Sequence, residues 1–251
     1  MSTVCLLQAR IGSTRLPGKV LADLDGEPML ARIIRRLRRA GTVDRIVVAT
    51  TTLVDDDAIA ALAEANDADC HRGPVDDVLT RLAGALASHP ADLVVHATAD
   101  NPLAAPEFID RLTGECLKAQ ADFAFISGIP LGSGVDIYTP QALERLAARA
   151  HSPAYREHIN AYLFDHPDEF NILRLSPSPG FRHPGLRVTV DTAEDLALIR
   201  RLANRLGKPT ELIDLADVVR LSIDEPELFN ASQNACQQYI SEAARRLRQA
   251  G

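Results

Sequence analysis

Val4-Cys5-Leu6-Leu7-Gln8 runs directly into Ala9-Arg10-Ile11-Gly12-Ser13-Thr14-Arg15-Leu16-Pro17-Gly18-Lys19. The apolar run reads as a buried strand, and residues 9–19 read as a loop punctuated by Gly12, Pro17 and Gly18. Glycines let backbone N–H groups approach a ligand closely, and Arg10, Arg15 and Lys19 supply positive charge, so the strand and loop together can wrap an oligophosphate. Taken singly, each of these residues also suits an ordinary loop with solvated arginines. The cradle is favoured by the coincidence of all three cations with Gly12, Ser13 and Gly18 immediately after an N-terminal strand.

Outward from that stretch, strand-like segments at 4–8, 45–50, 69–71 and 92–98 alternate with helix-like segments at 28–39, 56–66, 76–87 and 105–118. Ile46-Val47-Val48-Ala49 and Leu93-Val94-Val95-His96-Ala97 are continuously apolar apart from the histidine, as strands covered on both faces are. The rhythm predicts an α/β fold with a mostly parallel central sheet and helices on both faces. In such sheets ligands bind beyond the carboxyl ends of the strands, where the 9–19 loop, residues 50–52, Arg72-Gly73 and Asp100 all fall.

Beyond residue 120 the pattern loosens. Strands are expected at 121–126, 135–138 and 170–175, and helices at 141–150 and 155–164. Prolines 177, 179 and 184 mark a long loop. A strand is then predicted over Leu186-Arg187-Val188-Thr189-Val190-Asp191, followed by a helix that Thr192 caps with Glu194 and Asp195 in its first turn. No stretch reads as an interdomain linker. One domain is expected over 1–251, with a nucleotide-binding half at 1–120, a substrate-shaping part at 121–190 and a C-terminal helical tail at 205–251. In that tail, residues 232–249 place Cys236, Tyr239, Ile240, Ala243, Ala244 and Leu247 on one helical face, which suits a homodimer seam or the protein's own core.

The chain of 251 residues is 46% hydrophobic, enough for a sizeable core. Acidic residues number 34 against 27 basic ones, a net charge of −7, which argues against nucleic acid as a partner and makes positive charge a local device. The 4 cysteines lie far apart with no C-x-x-C pair, which suggests neither a disulfide framework nor a zinc ribbon. The amino terminus enters a strand without a signal-like apolar region, and no apolar run is long enough to span a membrane. A cytoplasmic location is the expectation.

Asp100, in Thr98-Ala99-Asp100-Asn101-Pro102, and Asp191 each follow an apolar strand. Two carboxylates from separate strand ends suit Mg2+, which takes few protein ligands alongside phosphate oxygens; each aspartate also suits a helix cap or Asx-turn. Cations and carboxylates on one sheet edge point to nucleotidyl transfer. Neither G-x-x-x-x-G-K-[ST] nor a G-x-G-x-x-G after the first strand is present, which disfavours a P-loop kinase and a dinucleotide dehydrogenase. Arg156-Glu157-His158 offers either a grip on a substrate carboxylate or hydroxyl, or a solvated helix face. Arg72, Gly73, Asp77 and Arg81 can flank a base or ribose, while Asp77 and Arg81 equally suit a surface i,i+4 pair. His96, inside a strand, reads as a hydrogen-bonded core residue, and Ser13 has no triad partners nearby.

Residues 8–19 resemble the signature loop of the cytidylyltransferases, in particular the spore-coat polysaccharide biosynthesis branch. Ala49-Thr50-Thr51, Arg72-Gly73 with Asp77-Val78-Leu79 and Arg81, Ala99-Asp100-Asn101-Pro102, Arg156-Glu157-His158 and residues 186–195 are similar landmarks. The loop and the two aspartates also resemble CMP-Kdo synthetase and, more distantly, the acylneuraminate cytidylyltransferases. The resemblance implies a GT-A-like nucleotide-diphospho-sugar transferase fold, often dimeric, with CTP and a small acidic sugar-like acid as substrates, Mg2+ as cofactor and pyrophosphate as leaving group. It implies that Gln8, Ala9, Arg10, Gly12, Ser13, Arg15, Lys19, Thr50, Arg72 and Asp77 bind the nucleotide. It further implies catalytic roles for Arg10, Lys19 and Asp100, substrate contacts from Arg156, Glu157 and His158, and metal ligation by Asp100 and Asp191. The chain departs from the CMP-Kdo synthetases in having Ala99-Asp100-Asn101-Pro102 where they carry a Gly-Asp-Glu-Pro type turn, and in residues 120–185. A glycosyltransferase of the same fold, or a nucleotidyltransferase using another NTP, is the alternative; the first usually shows an Asp-x-Asp pair, and residues 98–101 offer only Asp100.

Overall fold

A computed structural model of the protein describes residues 1–230. Its strands are Thr3–Gln8 (β1), Asp23–Leu24 (β2), Glu27–Pro28 (β3), Arg45–Thr51 (β4), Asp69–Gly73 (β5), Leu93–Thr98 (β6), Phe123–Ile126 (β7), Asp136–Tyr138 (β8) and Ile172–Leu175 (β9). The helices are Met29–Leu37 (α1), Asp57–Glu64 (α2), Val78–Ser88 (α3), Pro106–Lys118 (α4), Pro140–Arg149 (α5), Pro153–Glu157 (α6), Ile159–Asp165 (α7), Ala193–Leu206 (α8) and Leu215–Asp224 (α9). The face expected over 232–249 lies outside the described residues.

Seven strands form one sheet in the order β5-β4-β1-β6-β8-β7-β9, and β2 pairs with β3 in a separate small ribbon. Within the large sheet only β8 runs against its neighbours β6 and β7; the other pairings are parallel. Alternate residues of β1 enter two cores, Cys5 and Leu7 on one side and Val4 and Leu6 on the other. Ile46 and Val48 of β4 part from Val47 and Ala49 in the same way. The period of two explains why continuously apolar strands are needed here: each side of the sheet is covered. Helices α1, α2, α4, α8 and α9 pack on the first side, and α3, α5 and α7 on the second. The chain moves from β1 to β4 and β5 on one side and then returns to β6 on the other. That reversal leaves a crevice beyond the carboxyl ends of β1 and β6.

Two expected elements differ. The helix expected over 155–164 is broken at His158 (φ −109°, ψ 79°), which caps α6 and starts α7. No glycine or proline announces that turn. The strand expected over 186–191 is extended but joins no sheet beyond a single bridge to Leu131. Its backbone bonds go to loops instead: Leu131 N–H donates to Leu186 O at 2.8 Å, Val188 N–H to Leu131 O at 2.8 Å and Val190 N–H to Asp100 O at 2.8 Å. Gly132 permits this docking, because its φ is +93° and a Cβ there would sit 2.4 Å from Thr189 N. Among the described residues, no helix is long and apolar enough to cross a membrane.

Candidate active site

The loop after β1 is shaped by its own backbone. Ser13 N–H and Gly18 N–H both donate to Ile11 O, at 2.7 and 3.1 Å, and Gly18 takes φ +72°, a left-handed turn that favours glycine. Asp56, 2% exposed, anchors the base of the loop by accepting from Ile11 N–H at 2.8 Å and Thr51 N–H at 3.2 Å. Sequence reading passed over this aspartate because its work is structural and no local motif marks it.

The loop delivers Lys19 to the crevice. Its ammonium, on a side chain 10% exposed, donates to Val190 O at 2.7 Å, Asp191 Oδ1 at 3.0 Å and Asp100 Oδ2 at 3.5 Å. Arg15 pairs with Asp191 Oδ1 at 2.9 Å, and Arg10 with Glu157 Oε1 at 3.1 Å. Asp100 and Asp191 therefore meet, although Asp191 arrives on an extended segment rather than a sheet strand. Asp191 is fixed by Arg187 Nη2 at 2.5 Å and by the start of α8, where Asp195 Oδ2 accepts from Asp191 N–H and Thr192 N–H, both at 2.9 Å. Burial acts to raise the Asp191 pKa, but hydrogen bonds from Arg187 and Lys19 and the charge of Arg15 hold it below the usual carboxylate range. Two ionisable oxygen donors already converging on one ammonium form a hard, anionic donor set, which fits a divalent cation such as Mg2+ whose other ligands are water and phosphate.

These groups line a cavity of about 500 Å3, in the usual range for a small-molecule site. Of the residues singled out by sequence, Gln8, Ala9, Arg10, Ser13, Arg15, Lys19, Asp100, Glu157, His158 and Asp191 line it together. Gly12 is exposed on the loop, and Thr50 is fully buried in β4. Arg72 donates to Thr51 O at 2.8 Å, Leu53 O at 2.6 Å and Asp57 Oδ1 at 2.5 Å. Asp77 caps α3 by accepting from Thr80 N–H at 2.8 Å and pairs with Arg156 at 2.7 Å. That pairing replaces the Asp77–Arg81 contact expected from i,i+4 spacing: Arg81 is fully buried and donates to Pro74 O at 2.5 Å. Arg156 also donates to Ala147 O at 3.0 Å and Ala150 O at 3.3 Å. Gly12, Thr50, Arg72, Asp77 and Arg156 thus stand outside the cavity lining.

The cavity is also lined by residues that the sequence did not mark as functional. His96 Nε2 lies 3.3 Å from Gln8 Oε1, and burial, with Arg81 nearby, brings its pKa down to about 4, so the ring is neutral at neutral pH. Across from it Asp136 receives Asn160 Nδ2–H at 3.4 Å, while burial pushes its carboxyl up to about 7. Phe125, Ile126, Val135 and Ile159 supply apolar wall.

A cationic loop facing paired carboxylates across a switch-point crevice is the geometry of nucleotidyl transfer, and the protein's class is that of the nucleotidyltransferases. The Cytidylyltransferase family matches residues 4–240, and the chain belongs to that family. It is 31% identical to an uncharacterised protein of Methanocaldococcus jannaschii over 96% of this chain and 99% of that one. It is 28% identical to the spore coat polysaccharide biosynthesis protein SpsF of Bacillus subtilis, over 88% and 94%. A 3-deoxy-manno-octulosonate cytidylyltransferase of Anaeromyxobacter sp. strain K is 32% identical, over 63% and 72%. Among solved structures, a cytidylyltransferase from Leptospira borgpetersenii superposes with a TM-score of 0.85 at 26% identity, covering 91% of this chain and 97% of that one. The fold is thus that of the nucleotide-sugar transferases, and the enzyme is CTP-dependent.

Proposed function

We propose that the protein transfers CMP from CTP to a hydroxyl of an acidic sugar or sugar-like acid, releasing pyrophosphate, with Mg2+ held by Asp100 and Asp191. The carrying observation is that Lys19, Arg15, Asp100 and Asp191 meet at one crevice through contacts of 2.9–3.5 Å. The spore-coat and octulosonate relatives support an acid-sugar acceptor by their names.

In this reading Arg10, Arg15, Lys19 and the 9–19 amides hold the triphosphate, with the buried Lys19 contributing most because solvent screens the exposed Arg15 and Arg10. A cation held by Asp100 and Asp191 would supply charge neutralisation on the phosphates. Lys19 already stands in the crevice beside Asp100 and Asp191, where its ammonium can meet phosphate oxygens. Glu157 and His158 then border the acceptor. The turn at His158 brings them there by ending α6 before the helix can carry them away. Catalysis rests on positioning and neutralisation, with no covalent enzyme intermediate.

The test is thermal shift with CTP, UTP, GTP and ATP, each with Mg2+, followed by pyrophosphate release with a panel of sugar acids. A ligand at 100 times its Kd stabilises the folded state by about 2.7 kcal/mol. CTP should give the largest shift, and pyrophosphate should appear only when CTP and an acid acceptor are both present. Equal shifts from all four nucleotides, or release with none of the acids, would overturn the proposal.

A further inference from the structure

Asp136 differs from the other carboxylates of the cavity in its partners. Asp100 and Asp191 are served by Lys19, Asp191 also by Arg15 and Arg187, and Glu157 by Arg10. Among the described residues, Asp136 receives one donor, Asn160 Nδ2–H, at a long 3.4 Å, and no cation pairs with it. An ionised carboxylate offers about four acceptor positions. Its cross-strand neighbour is His96, a neutral ring engaged with Gln8, and Phe125, Ile126, Val135 and Ile159 add apolar lining to the same cavity. A carboxyl left under-satisfied in an apolar cavity wall is costly unless a ligand completes it. Asp136 is only part-buried and its exposed surface lines the cavity, so a ligand can reach it.

The element that carries it is informative as well. Because β8 runs against β6, its first residue, not its last, lies at the functional edge of the sheet, beside His96 and upstream of the turn that carries Asp100. The cations that line the cavity, Arg10, Arg15 and Lys19, come from the 9–19 loop and pair with Glu157, Asp100 and Asp191. The cavity therefore combines cations from the loop after β1 with a hydrogen-bond acceptor from β8 that no cation neutralises.

We propose that Asp136, steadied by Asn160, is the anchor that accepts hydrogen bonds from hydroxyls of the acceptor substrate, holding its polyhydroxylated end over β8 while its acid group points toward the cationic loop. This rests on the reading of the cavity as a cytidylyltransferase site, and it assigns a specificity-determining residue within it. A short acid without a hydroxyl-bearing chain would not reach Asp136, and a polyhydroxy acid would.

The test compares the full-length parent with Asp136→Asn and Asn160→Ala by thermal shift and calorimetry, in Mg2+ and saturating α,β-methylene CTP, which cannot release pyrophosphate. The probes are 3-deoxy-manno-octulosonate, N-acetylneuraminate and, as the short acid, glycolate. The nucleotide analogue should shift all three proteins equally. A polyhydroxy acid should bind Asp136→Asn at least tenfold more weakly than the parent and Asn160→Ala about threefold more weakly, with glycolate unaffected. Equal affinity of parent and Asp136→Asn for the polyhydroxy acids overturns the assignment, as does absence of their binding to a parent that binds the analogue. Loss of the analogue's shift in Asp136→Asn also overturns it, since the residue would then be part of the nucleotide site or the fold. A parent that ignores the analogue fails at the earlier step, the nucleotide site itself.

Discussion

Asp136 makes stability depend on pH in the direction opposite to a paired carboxylate. Burial raises its carboxyl from 3.8 to about 7, so between those values the folded chain binds more protons than the unfolded one. Stability from this group is therefore full at low pH, falls as pH rises from about 4 to about 7, and is constant above. Asp136→Asn cannot ionise. It should be more stable than the parent at pH 8, by up to about 4 kcal/mol from an interval of roughly three pH units, and should match it near pH 4. Urea unfolding at both pH values checks this, and the same offset at both would show that the carboxyl is not held neutral by burial. Asp191, held ionised by Arg187 and Lys19, has the opposite sign and is unchanged by the substitution. At this scale the sequence showed the residues whose type and position coincide, such as Arg10, Lys19 and Asp100 around strands with apolar runs. It did not show Asp136, because a sheet edge is inferred from strand ends and nothing in three residues of strand declares that β8 is antiparallel. Nor did it show that Arg72 and Arg156 are taken up by backbone carbonyls and aspartates, since a guanidinium's partners are set by packing distant in sequence.

Helix α8 illustrates how an element places a functional carboxylate. Thr192 Oγ1 accepts from Asp195 N–H at 3.2 Å, and Asp195 returns the contact to Thr192 N–H at 2.9 Å, completing a capping box. The same Asp195 carboxylate accepts from Asp191 N–H and from Arg187, so the cap and the cavity carboxylate are one hydrogen-bonded unit. Thr192→Ala should cost about 1 kcal/mol of stability, the usual value for a lost cap. It should also weaken Mg2+-dependent CTP binding, because Asp191 loses part of the frame that aims it; Thr192→Ser should restore both. Thermal denaturation with and without CTP and Mg2+ reads the two effects separately, and a stability loss without any change in the ligand-induced shift would detach the cap from the site. This cap was legible, since Thr192 followed by Glu194 and Asp195 is a local signal. The turn at His158 and the docking of 186–191 onto Leu131 and Asp100 were not, because the first lacks a glycine or proline and the second depends on a loop brought close by Gly132.

Across the molecule, the site needs the strand ends of one half and the extended segment of the other to stay together, and Arg36 shows one way they do. It lies on α1, is 1% exposed, and donates from Nε to Ala104 O at 2.6 Å and from Nη1 to Thr210 O at 3.1 Å, Glu211 O at 3.3 Å and Ile213 O at 2.7 Å. A buried guanidinium is normally a burden; burial brings its pKa down to about 10, which still leaves it charged at neutral pH, while Glu107 opposes the shift. What offsets that burden is that its planar fork satisfies carbonyls from two separate segments, Ala104 on one and residues 210–213 on the other. One of them, Ala104, follows the Asp100 turn, and the other precedes α9. Arg36→Met keeps much of the apolar stem and takes the guanidinium donor from Ala104 O and Ile213 O, while Thr210 O keeps Ile213 N–H and Glu211 O keeps Arg39. Each of these two carbonyls costs about 1–3 kcal/mol when orphaned, so the expected loss is on the order of 2–4 kcal/mol, a large share of the 5–15 kcal/mol typical of a folded domain. Urea unfolding measures it. Because Ala104 closes the turn that directly follows the Asp100 turn, the variant's CTP-induced stabilisation should also shrink. A loss under about 1 kcal/mol would mean the carbonyls find other donors and that the Asp100 turn is held by its own bonds to Thr189 and Val190.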